Sequence, residues 1–176
     1  MQPILMAGLL VALAAGSGDA QESPAATRPA AGCHGAEYRQ FDFWIGDWNT
    51  YEIADSSKVV ARTRVSAFLD GCVLREDYRQ NDGLAGESYS LWDASRGVWH
   101  QSWVTNRGTL LLLDGRFRNG RMVLTGSEKS PDGTASLLRG TWWMEGRDVR
   151  ERAERSADGG KSWTPVFDIV FRPHRP

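Results

Sequence analysis

Turn signals recur at short, regular intervals from Trp48 to the end of the chain, and this spacing restricts the possible folds more than any other feature. The clearest signal is Asn119-Gly120, because both residues tolerate the positive φ that a type I′ hairpin turn requires. The intervals leave no room for crossover helices, so neighbouring strands must pair antiparallel. The predicted strands lie at about 48–54, 58–68, 71–79, 86–94, 98–106, 109–117, 120–128, 135–145, 147–156 and 162–172.

Ten strands in 176 residues give a strand content well above that of an ordinary globular domain. A closed meander permits such a content because closure removes both sheet edges. We therefore predict an all-β chain with a single ten-stranded, up-and-down antiparallel β-barrel. A short helical turn within residues 37–44 would precede it, with Phe41 and Trp44 placed to close one end of the barrel.

The N-terminal segment differs in composition from the rest of the chain. Residues 1–15 are apolar apart from Gln2, and small residues follow up to Ala20, which suits cleavage by signal peptidase. The apolar run is shorter than the roughly 20 residues that a membrane-spanning helix needs, so we expect no membrane span. The expected organisation is a signal peptide at 1–20, a disordered spacer at 21–32 and the barrel domain at 33–176, exported to the periplasm or the extracellular space.

The chain has two cysteines, Cys33 and Cys72. An oxidising compartment favours a disulfide between them, which would stabilise the fold by roughly 4 kcal/mol through loop closure. Without a CxxC or histidine spacing the pair is a poor zinc site, and no metal is predicted. A lipid anchor on Cys33 stays open as an alternative, because Ala30-Ala31-Gly32-Cys33 ends like a lipobox.

Charge narrows the range of partners. The formal net charge is −1 and the charged residues are interspersed, so the sequence carries no basic signature for nucleic acid or an anionic membrane surface. We predict no nucleic-acid partner, and the sequence leaves the oligomeric state open.

The most distinctive stretch is Phe43-Trp44-Ile45-Gly46-Asp47-Trp48. We expect Gly46 to allow a tight turn into the first strand while Trp48 fills the floor of the barrel. Followed by ten strands, this Gly-x-Trp resembles the start of the calycin superfamily, which comprises lipocalins, fatty-acid-binding proteins and nitrobindins. The resemblance implies that a cationic side chain of the last strand, here Arg172, packs across the tryptophan.

Four segments resemble, more narrowly, a bacterial family of exported, calycin-like domains of unknown function. They are Phe41–Trp48, Gly71–Glu76, Trp99–Trp103 and Asp158–Trp163. This resemblance covers essentially the whole predicted domain, and it implies the fold but no particular activity. The segment Ser156–Trp163 also looks like the Asp-box of propeller proteins, but it occurs once, so we interpret it as a hairpin tip.

Polar and aromatic side chains at alternating positions make a ligand-binding lumen the leading hypothesis. A ten-stranded barrel is wide enough to hold a ligand, and aromatic rings beside Arg and Glu suit a small hydrophobic or amphipathic molecule. One sequence does not settle which face of each strand points inward, so ordinary ion pairs on the outer surface are the alternative. The candidate lumenal residues are Glu76, Tyr78, Tyr89, Trp99, Gln101, Trp103, Arg139, Trp143 and Arg152.

Two other functions stay open. An enzyme would use Glu76, buried and with a raised pKa, beside Arg139 or Arg152. Haem or nitric oxide binding would need His100 to point inward as an axial ligand. If the neighbouring Trp99 faces the lumen, however, the alternation of a strand sends His100 outside. No cofactor is predicted, and binding without catalysis is the leading hypothesis.

Overall fold

The computed structural model describes residues 32–130 and 132–175; the predicted signal peptide, and all of the predicted spacer except Gly32, lie outside these ranges. Ten strands follow two short 3₁₀ turns, Ala36–Arg39 and Asp42–Trp44. The strands are β1 (Gly46–Glu52), β2 (Asp55–Phe68), β3 (Val73–Gln80), β4 (Ala85–Asp93), β5 (Val98–Thr105), β6 (Leu110–Arg118), β7 (Arg121–Lys129), β8 (Ala135–Glu145), β9 (Asp148–Ser156) and β10 (Thr164–Pro173). Among the residues described, no helix is long and apolar enough to cross a membrane.

Each strand pairs antiparallel with its neighbour in sequence, and β1 also pairs with β10, so the sheet closes into a barrel. This confirms the predicted fold class. Between β6 and β7, Asn119 and Gly120 have φ angles of 50° and 73°, as the predicted hairpin turn requires. The largest difference from the predicted boundaries is at β2, which begins at Asp55 rather than at residue 58.

Aromatic side chains close one end of the barrel. Phe41 lies directly before the second 3₁₀ turn and Trp44 is the last residue of that turn. They are 0% and 1% exposed, which confirms the predicted plug. The ring centroid of Phe41 lies 5.1 Å from that of Trp44 and 5.7 Å from that of Trp99, and Trp44 also contacts Phe171. We call the cluster of Phe41, Trp44, Trp48, Trp99 and Phe171 the floor of the barrel.

Gly46 and Trp48 are related by packing rather than by a turn. The Trp48 ring lies so close to Gly46 that any Cβ at that position would overlap it. Trp48 Nε1 donates a hydrogen bond to the Trp44 carbonyl oxygen at 3.0 Å, which fixes the ring over the glycine. The tight turn expected at Gly46 is therefore wrong, because this residue lies within β1 and has no positive φ.

Arg172 lies on the outer face, contrary to the role that the resemblance implied. Its register partner is Asn49, whereas the neighbouring Trp48 points inward, so the two side chains lie on opposite sides of the sheet. The guanidinium stacks over Tyr51, 4.6 Å from the ring centroid, and donates a hydrogen bond to the Ser56 carbonyl oxygen. The expected packing of Arg172 across Trp48 is therefore wrong.

The segment Ser156–Trp163 forms the hairpin tip between β9 and β10, as the sequence predicted. Asp158 accepts hydrogen bonds from the Ser162 hydroxyl at 2.6 Å and from the backbone N–H groups of Ser162 and Lys161 at 2.9 Å. These bonds hold the pKa of Asp158 well below its usual range. The Asp158 carboxylate thus stabilises the turn.

Cys33 and Cys72 form a disulfide, with their Cα atoms 5.2 Å apart, which confirms the predicted pairing. The bond joins the segment before the first 3₁₀ turn to the turn between β2 and β3. Arg39 adds a second link, since its guanidinium donates a hydrogen bond to the Gly71 carbonyl oxygen. In this structure the Cys33 sulfur is not free to carry the lipid anchor that the sequence left open.

Replacing both cysteines by serine should lower the free energy of unfolding by about 2–4 kcal/mol, because the unfolded chain regains the freedom of the loop between them. That loop spans a sequence separation of 39 residues. Urea denaturation of the wild type and the double variant measures the change. Equal denaturation midpoints for the two proteins would contradict the prediction.

Candidate functional site

A cavity of about 350 Å³ lies inside the barrel, on the inner side of the floor. Its wall is formed by inward-facing side chains, which alternate along each strand with outward-facing ones. The lining residues are Glu52, Val60, Glu76, Tyr78, Gln80, Leu84, Gln101, Trp103, Leu111, Leu113, Leu138, Gly140, Trp142, Glu151, Ala153, Phe167 and Ile169.

Depth in the cavity follows position along the strands. In β3 the floor end begins at Val73 and the other end is reached at Gln80, so Glu76 lies deep and Tyr78 lies nearer the opening. Phe167, near the start of β10, is 39% exposed and belongs to the rim of the opening. The cavity therefore has an inner end with polar groups and an outer end with access to solvent.

Glu76 and Gln101 form a buried polar group on the wall made by β3, β4 and β5. They are 6% and 4% exposed. Ser88 donates a hydrogen bond from its hydroxyl to Glu76 Oε2 at 2.8 Å, and Gln101 Nε2 donates to Ser90 Oγ at 3.0 Å. Gln101 Nε2 also lies 3.4 Å from Ser88 Oγ, so the amide and the carboxyl belong to one network.

Glu151 and Trp142 face the cavity from β9 and β8, where they are register partners. Trp142 is 2% exposed, and its indole N–H faces Glu151 without forming a hydrogen bond of ordinary geometry. Its ring covers Gly140 so closely that a Cβ there would overlap the indole. Gly140 thus provides the space in which the Trp142 indole lies against the wall, as Gly46 does for Trp48 in β1.

Burial changes the acid–base properties of the lumenal groups. It raises the pKa of Glu76 to about 7, and the hydrogen bond from Ser88 offsets the effect only in part. Burial, followed by the charge of Glu76, raises the pKa of Glu151 well above its ordinary value. Burial and then the charges of Glu151 and Glu76 also raise the pKa of Tyr78. The two carboxyl groups therefore repel each other across the lumen when both are ionised.

Five of the nine predicted lumenal residues point into the barrel. Glu76, Tyr78, Gln101 and Trp103 line the cavity, and the rings of Tyr78 and Trp103 meet edge to face with centroids 5.9 Å apart. Trp99 also points inward but belongs to the floor, being 1% exposed. These residues lie on β3 and β5, which both pair with β4, so the structure brings them together.

The other four, Tyr89, Arg139, Trp143 and Arg152, do not line the cavity, and their placement in the lumen is wrong. Each is one position out of phase with inward-facing residues of its own strand, so each points to the outer face. Arg139, for example, lies between two lining residues of β8.

Ion pairs occupy the outer face instead. Arg139 contacts Glu154 at 2.8 Å, and its guanidinium lies 3.9 Å from the ring centroid of Trp163. Arg152 contacts Asp168 at 2.9 Å. For these strand faces the alternative that the sequence left open, cross-strand pairs on the outer surface, is the correct one.

The sequence interpretation missed Glu52, Glu151 and Trp142. The signal available for Glu151 is its face of β9, which it shares with the buried apolar residues Val149 and Ala153. The signal for Trp142 is a glycine two residues earlier, which repeats the Gly-x-Trp spacing of β1. Nothing in the local pattern separates Glu52 from a residue of the exposed strand end.

His100 points away from the lumen. Its Nδ1 lies 2.7 Å from Asp114 Oδ1 and its Nε2 lies 2.9 Å from Ser102 Oγ. A haem group inside the barrel could not take His100 as an axial ligand without a reversal of the two faces of β5.

The Glu/Arg pair of the enzyme hypothesis does not form. Glu76 is buried, as that hypothesis requires, but Arg139 and Arg152 lie outside the barrel. Within residues 32–130 and 132–175, no Lys, Arg or His lines the cavity. In the same part of the chain, no group of three His, Cys, Asp or Glu side chains is placed to hold a metal ion.

Comparison of the chain with protein-family models and with curated proteins found no match.

Replacing Glu76 by glutamine should stabilise the protein by about 3 kcal/mol at pH 8, because the amide keeps the Ser88 contact and removes a buried charge. The folded state holds the Glu76 proton to higher pH than the unfolded chain does. It therefore binds more protons between about pH 4.5 and 7, and its stability falls as the pH rises through that window. The gain from the substitution should grow across the window and then level off.

Urea denaturation at several pH values between 4 and 9 measures this dependence. Glu154→Gln, on the outer face of β9, is the control and should show no such gain. A Glu76→Gln variant that is less stable than the wild type at pH 8, or whose effect does not change with pH, would contradict the prediction.

Proposed function

We propose that this chain is a binding protein that takes up one small amphipathic molecule in the lumen of its barrel. The observation that carries the proposal is the cavity of about 350 Å³, which is open at one end and has polar groups at the other. Ligand sites are concave, mostly apolar and have a few placed polar groups, with volumes of about 300–1,000 Å³. The lumen fits this description in size and in composition.

The distribution of side chains supports an amphipathic ligand rather than a wholly apolar one. Leu111, Leu113, Leu138 and Ile169 offer apolar contact along the wall. Glu76 and its hydrogen-bonded partners supply polar contact at the inner end. A ligand with an apolar body and one polar end would satisfy both parts of the wall, with the polar end entering first.

The relation to the calycin superfamily and export from the cytoplasm are parts of the same proposal. The closed ten-stranded barrel and the packing of Trp48 on Gly46 support the first. The disulfide between Cys33 and Cys72 supports the second, since such bonds persist in oxidising compartments. An exported barrel of this kind would bind its ligand outside the cytoplasm, in the periplasm or the extracellular space.

Phenylnaphthylamine, an uncharged probe whose fluorescence rises in apolar surroundings, tests lumenal binding. The wild type should bind the probe, and Ala153→Phe should weaken binding about tenfold or more, because Ala153 lines the cavity and a phenyl ring there fills it. Ala135→Phe adds the same ring at an exposed position of β8 and is the matched control.

Thermal unfolding of each variant checks that it is folded. Retention of full probe binding by a folded Ala153→Phe variant would place the probe outside the lumen and contradict the proposal. If the wild type does not bind phenylnaphthylamine, that result also contradicts the proposal.

A further inference from the structure

We propose that the ligand of this lumen is an amphipathic primary amine whose ammonium group binds between Glu76 and Glu151. This inference rests on the proposed lumenal binding and names the chemical class of the ligand. It follows from the charges that line the cavity, from the hydrogen-bonding capacity left unused there and from the positions of the two carboxyl groups.

The charges of the lumen are all of one sign. Glu52, Glu76 and Glu151 line the cavity, and in the described part of the chain they have no lumenal Lys, Arg or His to balance them. On the outer face of the same barrel wall, by contrast, carboxylates are paired: Glu154 contacts Arg139 and Asp168 contacts Arg150. The arginines of β8 and β9 thus form ion pairs on the outer surface, and the lumen keeps only acidic charged groups among the described residues.

Hydrogen-bonding capacity is unused at the inner end. An ionised carboxylate offers about four acceptor positions, but the only side-chain hydrogen bond to Glu76 among the described residues comes from Ser88. Trp142 is 2% exposed and lines the cavity, and its indole N–H faces Glu151 without a hydrogen bond of ordinary geometry. Buried polar groups in proteins are normally satisfied, so the unused acceptor positions of Glu76 point to a hydrogen-bond donor bound in the cavity.

The two carboxyl groups face each other across the lumen. Glu76 lies on β3 and Glu151 on β9, which are separated by β2, β1 and β10 on one side and by β4 to β8 on the other. Both side chains line the same cavity, and the charge of Glu76 contributes to the raised pKa of Glu151. An ammonium group has three N–H donors, so it can bind both carboxylates at once and replace their repulsion by two charge-assisted hydrogen bonds. It also keeps Glu151 ionised, which strengthens this residue as an acceptor for the Trp142 N–H.

The aromatic part of the wall suits the same ligand class. Tyr78, Trp103 and Trp142 line the cavity beside the carboxyl groups, and the faces of such rings attract cations. An anionic head group would add a third negative charge at the inner end, with no cation among the described lining residues to receive it. The lumen therefore discriminates against carboxylate ligands such as fatty acids.

Three ligands with the same body and different head groups test the inference: phenylbutylamine, phenylbutanol and phenylbutyrate. Their dissociation constants are measured at pH 8 by displacement of phenylnaphthylamine and by calorimetry. The amine should bind the wild type about tenfold or more tightly than the alcohol, as expected for a hydrogen bond to a charged group, and the butyrate should bind most weakly.

Glu76→Gln and Glu151→Gln should each reduce the ratio of alcohol to amine dissociation constants by about tenfold, while Glu154→Gln should leave it unchanged. A ratio within one protein cancels general changes in folding or cavity size. Butyrate binding as tight as amine binding, or a ratio that neither lumenal substitution alters, would overturn the inference and leave the proposed function standing. If the wild type binds neither the probe nor any of the three ligands, the proposed function fails and this inference fails with it.

Discussion

The pairing of β1 with β10 is the interaction on which the rest of the structure depends. Five residue pairs, from Trp48 with Pro173 to Glu52 with Ile169, join the first strand to the last. Once the sheet is closed, the two faces of every strand become an inside and an outside, and no strand keeps a free edge. The position of one inward-facing side chain then fixes the orientation of its whole strand through period-two alternation, and the register carries that orientation to the next strand. A cavity, a floor and an outer surface rich in ion pairs are all consequences of this closure.

The two ends of the lumen differ because the chain distributes side-chain volume unevenly. At the floor, Phe41 and Trp44 enter from outside the sheet and fill the space between the strands. Glycines allow an indole to pack closely at two places where the same spacing occurs, one at the floor and one on the cavity wall. Gly46 lies under the Trp48 ring and Gly140 under the Trp142 ring, and in each case a Cβ would occupy the volume of the indole. In each Gly-x-Trp pair the glycine therefore makes room for the inward-facing indole two residues later, and neither glycine has a positive φ.

Turn chemistry and alternation predicted most of the fold, because both act locally. Asn119-Gly120 and the other turn signals marked the strand ends, and closure followed from the number of strands. The lumenal face was harder to predict, since its identity is a property of the whole barrel. In β5 only one face carries tryptophans, and Trp99 and Trp103 were placed correctly. In β8 both faces carry one, so the choice between Trp142 and Trp143 needed the neighbouring Gly140 as a clue. In β9 Arg152 suggested a ligand contact, but its register partner on β10 is Asp168, which makes the outer face the better environment for this arginine.

The buried carboxyl of Glu76 is a lumenal feature that the fold alone does not explain. Its raised pKa corresponds to a cost of about 3 kcal/mol to folding stability at neutral to alkaline pH, a large fraction of the stability of an ordinary domain. Glutamine has the same shape and would keep an acceptor for Ser88 without that cost. Residues that lower stability without a packing role are characteristic of binding and catalytic sites. Glu76 and Glu151 line the same cavity, so a bound cation would offset the cost of burying both charges. The relief of that cost on binding would contribute to affinity and selectivity for a positively charged ligand.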